Sequence, residues 1–155
     1  MSVAEDRLYE LGYILPEPPA RGGLYAPCKI FAEGKLAYVS GCGPAIAGEC
    51  IKGKAGSDVT LEEAKAASRN AALNALAVLK AAVGDLDKIK SCVKATVFVN
   101  SADDFFDQPA AANGATELFV AVFGEERGCP SRSAVGCNSL PSNITAEVEM
   151  LVELY

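Results

Sequence analysis

The chain predicts an α+β fold, a mixed β-sheet with two main helices on one face. Three observations predict it. A capped, alanine-rich stripe from Thr60 to Gly84 repeats at helical spacing. Residues 89–100 and 144–154 alternate apolar and polar side chains with the period of two that a strand requires. The elements run helix, strands, helix, strand, helix, strand, strand, an order that no all-helical or all-strand fold produces.

Taken in order, residues 3–12 suit a short helix with Leu8 and Leu11 on one side and Gly12 as its stop. Pro16, Pro18 and Pro19 then hold the chain extended, and Gly22-Gly23 opens a loop that delivers Tyr25. Residues 29–33 and 35–40 read as strands joined near Gly34, the second broken by Gly41, Gly43 and Pro44. Residues 45–57 are glycine-rich, with one short strand expected at 50–52.

Thr60-Leu61-Glu62-Glu63 is a capping box, in which hydroxyl and carboxylate satisfy each other's free backbone N–H groups. Ala64, Ala67, Ala71, Leu73, Ala75, Leu76, Leu79 and Val83 follow as the apolar stripe, and Gly84 closes the helix. In residues 89–100, Val93, Ala95, Val97 and Val99 alternate with Cys92, Lys94, Thr96 and Phe98. Residues 109–124 read as the second helix, 132–140 as a strand, 141–143 as a turn and 144–154 as the last strand, so the final two strands are expected to form a hairpin. On the last strand Ile144, Ala146, Val148, Met150, Val152 and Leu154 face one way and Thr145, Glu147, Glu149 and Glu153 the other. Helices cover one sheet face, which leaves the second to solvent or to partner chains. No repeat or linker interrupts the chain, so residues 1–155 are expected to form one domain, with 1–20 as a helical and proline-rich extension.

Composition narrows the function. With 155 residues, half of them hydrophobic, the chain can bury roughly 70% of its unfolded surface without a disulfide or metal. Its net charge of −6 opposes binding to nucleic acid, where cations must neutralise phosphates. It has no histidine, which removes Ser-His-Asp and Cys-His catalysis and any histidine-ligated zinc. Six cysteines occur with no C-x-x-C spacing, so neither a zinc nor a thioredoxin pattern is present. Residues 1–10 carry Glu5, Asp6 and Arg7 and do not read as a secretory signal; no apolar run nears the roughly 20 residues that span a bilayer. A cytoplasmic protein with reduced thiols is expected.

Arg132 opens its strand after Cys129-Pro130-Ser131, with Glu147 and Glu149 expected on the adjacent strand. One reading is a cross-strand ion pair on a solvated face, worth at most about 1 kcal/mol. The other makes Arg132 a fork for a planar carboxylate, with a glutamate handling the protons of a water. Asn113-Gly114 sits inside a helix, where both residue types cost stability; it either aids packing or aims an amide into a pocket. Ser40-Gly41-Cys42-Gly43-Pro44 is a plain turn or a wall of backbone N–H groups, and it lacks a phosphate-loop pattern. Cys42 has no histidine to activate it as a nucleophile.

Several segments together resemble the YjgF/YER057c/UK114 (RidA, L-PSP endoribonuclease-like) family. They are Ser40-Gly41-x-x-Pro44, the capped helix from Thr60, Val93 to Val99, Asp104-Phe105, Asn113, Phe123-Gly124, Arg132-Ser133-Ala134-Val135, Leu140-Pro141 and Glu147-Val148-Glu149. The resemblance covers about residues 22–155, and the N-terminal stretch resembles a longer-headed subgroup. It implies a chorismate-mutase-like fold, a homotrimer with clefts between subunits, no cofactor or metal, and hydrolysis of 2-imino acids to 2-oxo acids and ammonia. Carried over, Arg132 would bind the substrate carboxylate and Glu147 would position or activate the water. The Ala134 carbonyl would hold water or ammonia, and Tyr25, Ser40, Gly41 and Asn113 would line the pocket. Cys42 stands where relatives often have Gln, and Pro130-Ser131 where they often have Ala or His-Ala. Two other functions fit the same pattern: a non-catalytic trimer that binds 2-oxo acids, and an endoribonuclease.

Overall fold

A computed structural model describes residues 2–155. Its elements are α1 (Val3–Glu10), β1 (Cys28–Phe31), β2 (Leu36–Cys42), α2 (Leu61–Val83), β3 (Ile89–Asn100), α3 (Gln108–Phe123), the short α4 (Glu125–Gly128), β4 (Ser131–Cys137) and β5 (Ala146–Leu154). The strands form one sheet in the order β1-β2-β5-β3-β4. β3 and β4 run parallel, and every other neighbouring pair is antiparallel. The two main helices, α2 and α3, cover one face and bury the core there, as the two apolar stripes require.

The capping box at Thr60 forms as expected. Thr60 Oγ1 accepts from the Glu63 N–H at 3.2 Å, and the Glu63 carboxylate accepts from the Thr60 N–H at 2.7 Å. Gly84 ends α2 with φ 86°, in the left-handed region that glycine enters without a Cβ clash. Ala64, Ala67, Ala71, Ala72 and Ala75 are fully buried, and their small side chains let α3 approach α2 closely. At Gly114 the approach is so close that a Cβ would run into the Lys65 carbonyl. Gly114→Ala is therefore expected to destabilise the fold by about 3 kcal/mol. Its thermal midpoint should fall by roughly 6–12 °C; a fall under about 2 °C would mean that the two helices can slide apart.

The expected hairpin between the last two strands does not form. β4 pairs only with β3, in parallel, while β5 inserts between β2 and β3. The reason is that α3 lies between β3 and β4: a strand, a helix and a strand make a crossover that returns the chain parallel to its start. Residues 138–145 then carry the chain past the end of β3. The Asn143 carbonyl accepts from the Gly53 N–H at 2.8 Å, and the Thr145 N–H donates to the Ile51 carbonyl at 3.2 Å. Ser142 and Asn143 turn the chain there with φ of 56° and 57°.

Smaller departures have local causes. β1 ends at Phe31 because Ala32, Glu33 and Gly34 all take positive φ. Shifts in β3 between Ile89 and Lys94 reverse its alternation, so Cys92 is buried and Val93 exposed. The short strand expected at 50–52 reduces to a single bridge, Lys52 to Ile144.

Among the described residues no helix lies on the second sheet face. The pairings place Tyr38, Phe98, Val135 and Leu151 on it together with Thr96, Ser133, Glu147 and Glu149. No described helix is long and apolar enough to cross a membrane.

Candidate active site

Arg132 is the second residue of β4, a strand at the sheet edge. It pairs with Ala95, which is fully buried under the helices, so its side chain rises on the helix face. There Nη1 donates to Asn113 Oδ1 at 2.7 Å and to Thr116 Oγ1 at 3.3 Å. Asn113 and Thr116 stand one turn apart on α3, which aligns them on a single side of the helix. Both are neutral, and among the described residues no carboxylate pairs with Arg132. The guanidinium has five N–H donors, so those on Nε and Nη2 remain available for a planar anion. The side chain is half-buried, where such an interaction is less screened than at an open surface. Ala134 lies two residues on, on the same side of β4.

Thr116 escaped the sequence reading. Its signal was the i,i+3 spacing from Asn113, which is visible once Asn113 is suspected. Thr116→Val is expected to raise KM about threefold to tenfold through looser placement of the guanidinium. Steady-state kinetics would check this, and an unchanged KM would show that Asn113 suffices.

Glu147 occupies the opposite face. It pairs with Phe98 across the β5–β3 ladder, and its carboxylate lies against Gly41, where a Cβ would collide with it. Gly41 falls in the irregular stretch of β2 between Val39 and Cys42, so the bulge and the missing side chain together make room for the acid. Burial first, and the Glu149 charge second, raise the Glu147 carboxyl above its ordinary value of 4.5. A carboxyl shifted upward can take a proton and return it closer to neutral pH.

Tyr25, Ser40 and Gly41 line a cavity of about 140 Å³, with Arg21 and Cys42 also in its wall. Ser40 Oγ donates to the Ala26 carbonyl at 2.6 Å, and Tyr25 Oη accepts from the Gly22 N–H at 3.0 Å. The Cys42 thiol is pushed up to about 12, by burial first and then by Glu147 and Cys28. It is a neutral, buried wall group and no nucleophile. A larger depression of about 460 Å³ runs beside α1, lined by Leu8, Tyr9, Ile14 and Ala77 among others, and holds none of the predicted site residues. Among the described residues no group of three metal-ligating side chains converges.

Residues 5–154 match the model of a family described as "YjgF/chorismate_mutase-like, putative endoribonuclease". The chain belongs to this YjgF family. The YjgF-family chain is 42% identical to Protein TCP17 of Trypanosoma cruzi over 148 residues, 95% of this chain and 91% of that protein. The crystal structure of Atu1372 from Agrobacterium tumefaciens is 41% identical and matches with a TM-score of 0.91, over 99% of this chain and 93% of that one. A Shewanella oneidensis structure described as a "putative endoribonuclease" is 36% identical with a TM-score of 0.92, over 97% and 99% of the two chains. At that coverage both matches take in the proline-rich segment after α1.

Within one copy of this YjgF-family chain, the predicted residues gather in two groups. Arg132, Asn113 and Ala134 share the helix face at the β4 edge. Glu147, Tyr25, Ser40 and Gly41 gather at the far side of β5. The expectation that Glu147 and Glu149 stand across a hairpin from Arg132 is thereby corrected. β3 separates the strands, a gap of two spacings or roughly 10 Å, and the side chains leave opposite faces. The cross-strand ion pair is excluded for the same reason.

Proposed function

We propose that this chain hydrolyses reactive 2-imino or enamine acids to 2-oxo acids and ammonia, without a cofactor. The observation that carries this reading is Arg132. It is a half-buried guanidinium steadied by two neutral side chains, and among the described residues two of its nitrogens are uncommitted. That arrangement suits the carboxylate that every 2-imino acid carries. Glu147 supplies the proton transfers. Its carboxylate takes a proton from water as the oxygen adds to the imine carbon. It returns that proton to nitrogen to give a carbinolamine, then passes the hydroxyl proton to nitrogen as well, so that the C–N bond breaks and ammonia leaves as the carbonyl forms. The Ala134 carbonyl would hold the water or the departing ammonia, and Tyr25, Ser40, Gly41 and Asn113 would enclose the substrate. An imine is already electrophilic, so orientation supplies much of the barrier reduction and no histidine is needed.

The two residue groups act together only if different copies of the chain supply them. A homotrimer in the cytoplasm, with the β4 edge of one copy against the Glu147 side of the next, would join them and would cover Tyr38, Val135 and Leu151. Their separation within one copy also favours a second reading, a trimer that binds 2-oxo acids at Arg132 without turnover. The endoribonuclease in the family's description is opposed by the net charge of −6.

A competition assay tests the proposal. An amino-acid oxidase generates 2-imino acids in the presence of semicarbazide, which traps any imine that survives. The protein should suppress semicarbazone formation. If it does not for any amino acid tried, while 2-oxobutanoate still binds by calorimetry, the binding reading replaces the enzyme.

A further inference from the structure

We propose that the cavity beside Tyr25 receives an acidic side chain held by Arg21, which makes imines of dicarboxylic amino acids the preferred substrates. This rests on the reading of the site given above. The argument begins at the N-terminal head. The Asp87 carboxylate accepts from the Val3 and Ala4 N–H groups at 2.8 and 3.0 Å, and Glu5 pairs with Lys80 of α2. Leu8 is buried, and Arg7 Nη1 donates to the Val122 carbonyl at 3.3 Å. The head is therefore fixed to the body. Pro16, Pro18 and Pro19 restrict the backbone that leaves it, so the segment reaches the cavity as a defined wall. Pro19, Ala20 and Arg21 form that wall, opposite Ser40 and Gly41.

Among the described residues, Arg21 is the only cationic residue lining this cavity. Its exposed side chain donates from Nη1 to the Tyr25 carbonyl at 3.1 Å, which ties the guanidinium to the Tyr25 end of the cavity. Among the described residues it pairs with no carboxylate. The other walls are apolar or neutral, including Pro27, Val78 and the protonated Cys42 thiol. A volume of about 140 Å³ is the share of roughly four or five waters. An aspartate-like or glutamate-like side chain has about that many non-hydrogen atoms. Glu147 is not in the cavity lining but lies against its Gly41 wall, so the acid that would move protons and the cation that would hold the distal carboxylate stand on different walls.

The test uses the intact protein and two imine classes, those generated from aspartate and glutamate and those generated from leucine and 2-aminobutyrate. The readout is the ratio of kcat/KM for acidic over neutral imines. Wild type should favour the acidic class by about tenfold. Arg21→Ala should bring the ratio near one, Arg21→Lys should keep part of it, and Arg21→Glu should invert it. A wild-type ratio of one or less, or an Arg21→Ala loss equal for both classes, overturns the proposal. If no imine of either class is hydrolysed, the enzyme reading fails separately, and calorimetry decides this one. Tighter binding of 2-oxoglutarate than of 2-oxobutanoate, lost in Arg21→Ala, supports it; equal affinities overturn it.

Discussion

Arg132→Ala is expected to lower kcat/KM for a 2-imino acid by about a thousandfold. The arginine would make two charge-assisted hydrogen bonds to one carboxylate. At roughly 1.5–3 kcal/mol each, discounted for partial exposure, their loss comes to about 4 kcal/mol, or three factors of ten. Arg132→Lys should lose nearly as much, because an ammonium cannot offer two parallel donors. Folding should be little changed, since Asn113 and Thr116 are also only half-buried and water can replace the guanidinium. Steady-state kinetics beside thermal unfolding separates the two effects. Full activity in Arg132→Ala would remove the anchor from this residue altogether.

Glu147→Gln is expected to reduce turnover by about a hundredfold to ten-thousandfold, the range associated with a positioned acid–base group. Its effect on stability should run the other way. Burial and Glu149 raise the carboxyl of the folded chain above its unfolded value, so ionising it costs stability. That cost is absent below the unfolded value of about 4.5 and is fully present once pH has risen past the folded value. The glutamine variant should match wild type in acid and be modestly more stable at neutral pH. In wild type, kcat/KM should fall as pH drops through the raised value, because a protonated Glu147 cannot accept a proton from water. A glutamine variant that keeps its turnover, or one less stable at pH 7 than wild type, would show that the carboxylate serves structure instead.

Local physics was legible in the sequence. The Thr60 capping box, the alanine stripe, the stop at Gly84 and the alternation along β5 each depend on residues a few positions apart, and each formed as read. Arg132 and Glu147 could be named as candidates, because donor number and charge are properties of single side chains, while the roles proposed for them rest on the family resemblance. What required the tertiary structure was where distant segments meet. The hairpin expectation assumed that consecutive strands pair, yet α3 between β3 and β4 makes their pairing parallel and sends β5 to the middle of the sheet. That one change of neighbour puts Arg132 and Glu147 on opposite faces and gives Arg132 the partners Asn113 and Thr116. Under the proposed function, a site shared between copies would then be needed to use both residues. The wall that Arg21 adds to the Tyr25 cavity is of the same kind: prolines announce a stiff segment, but only packing against α2 decides where it ends.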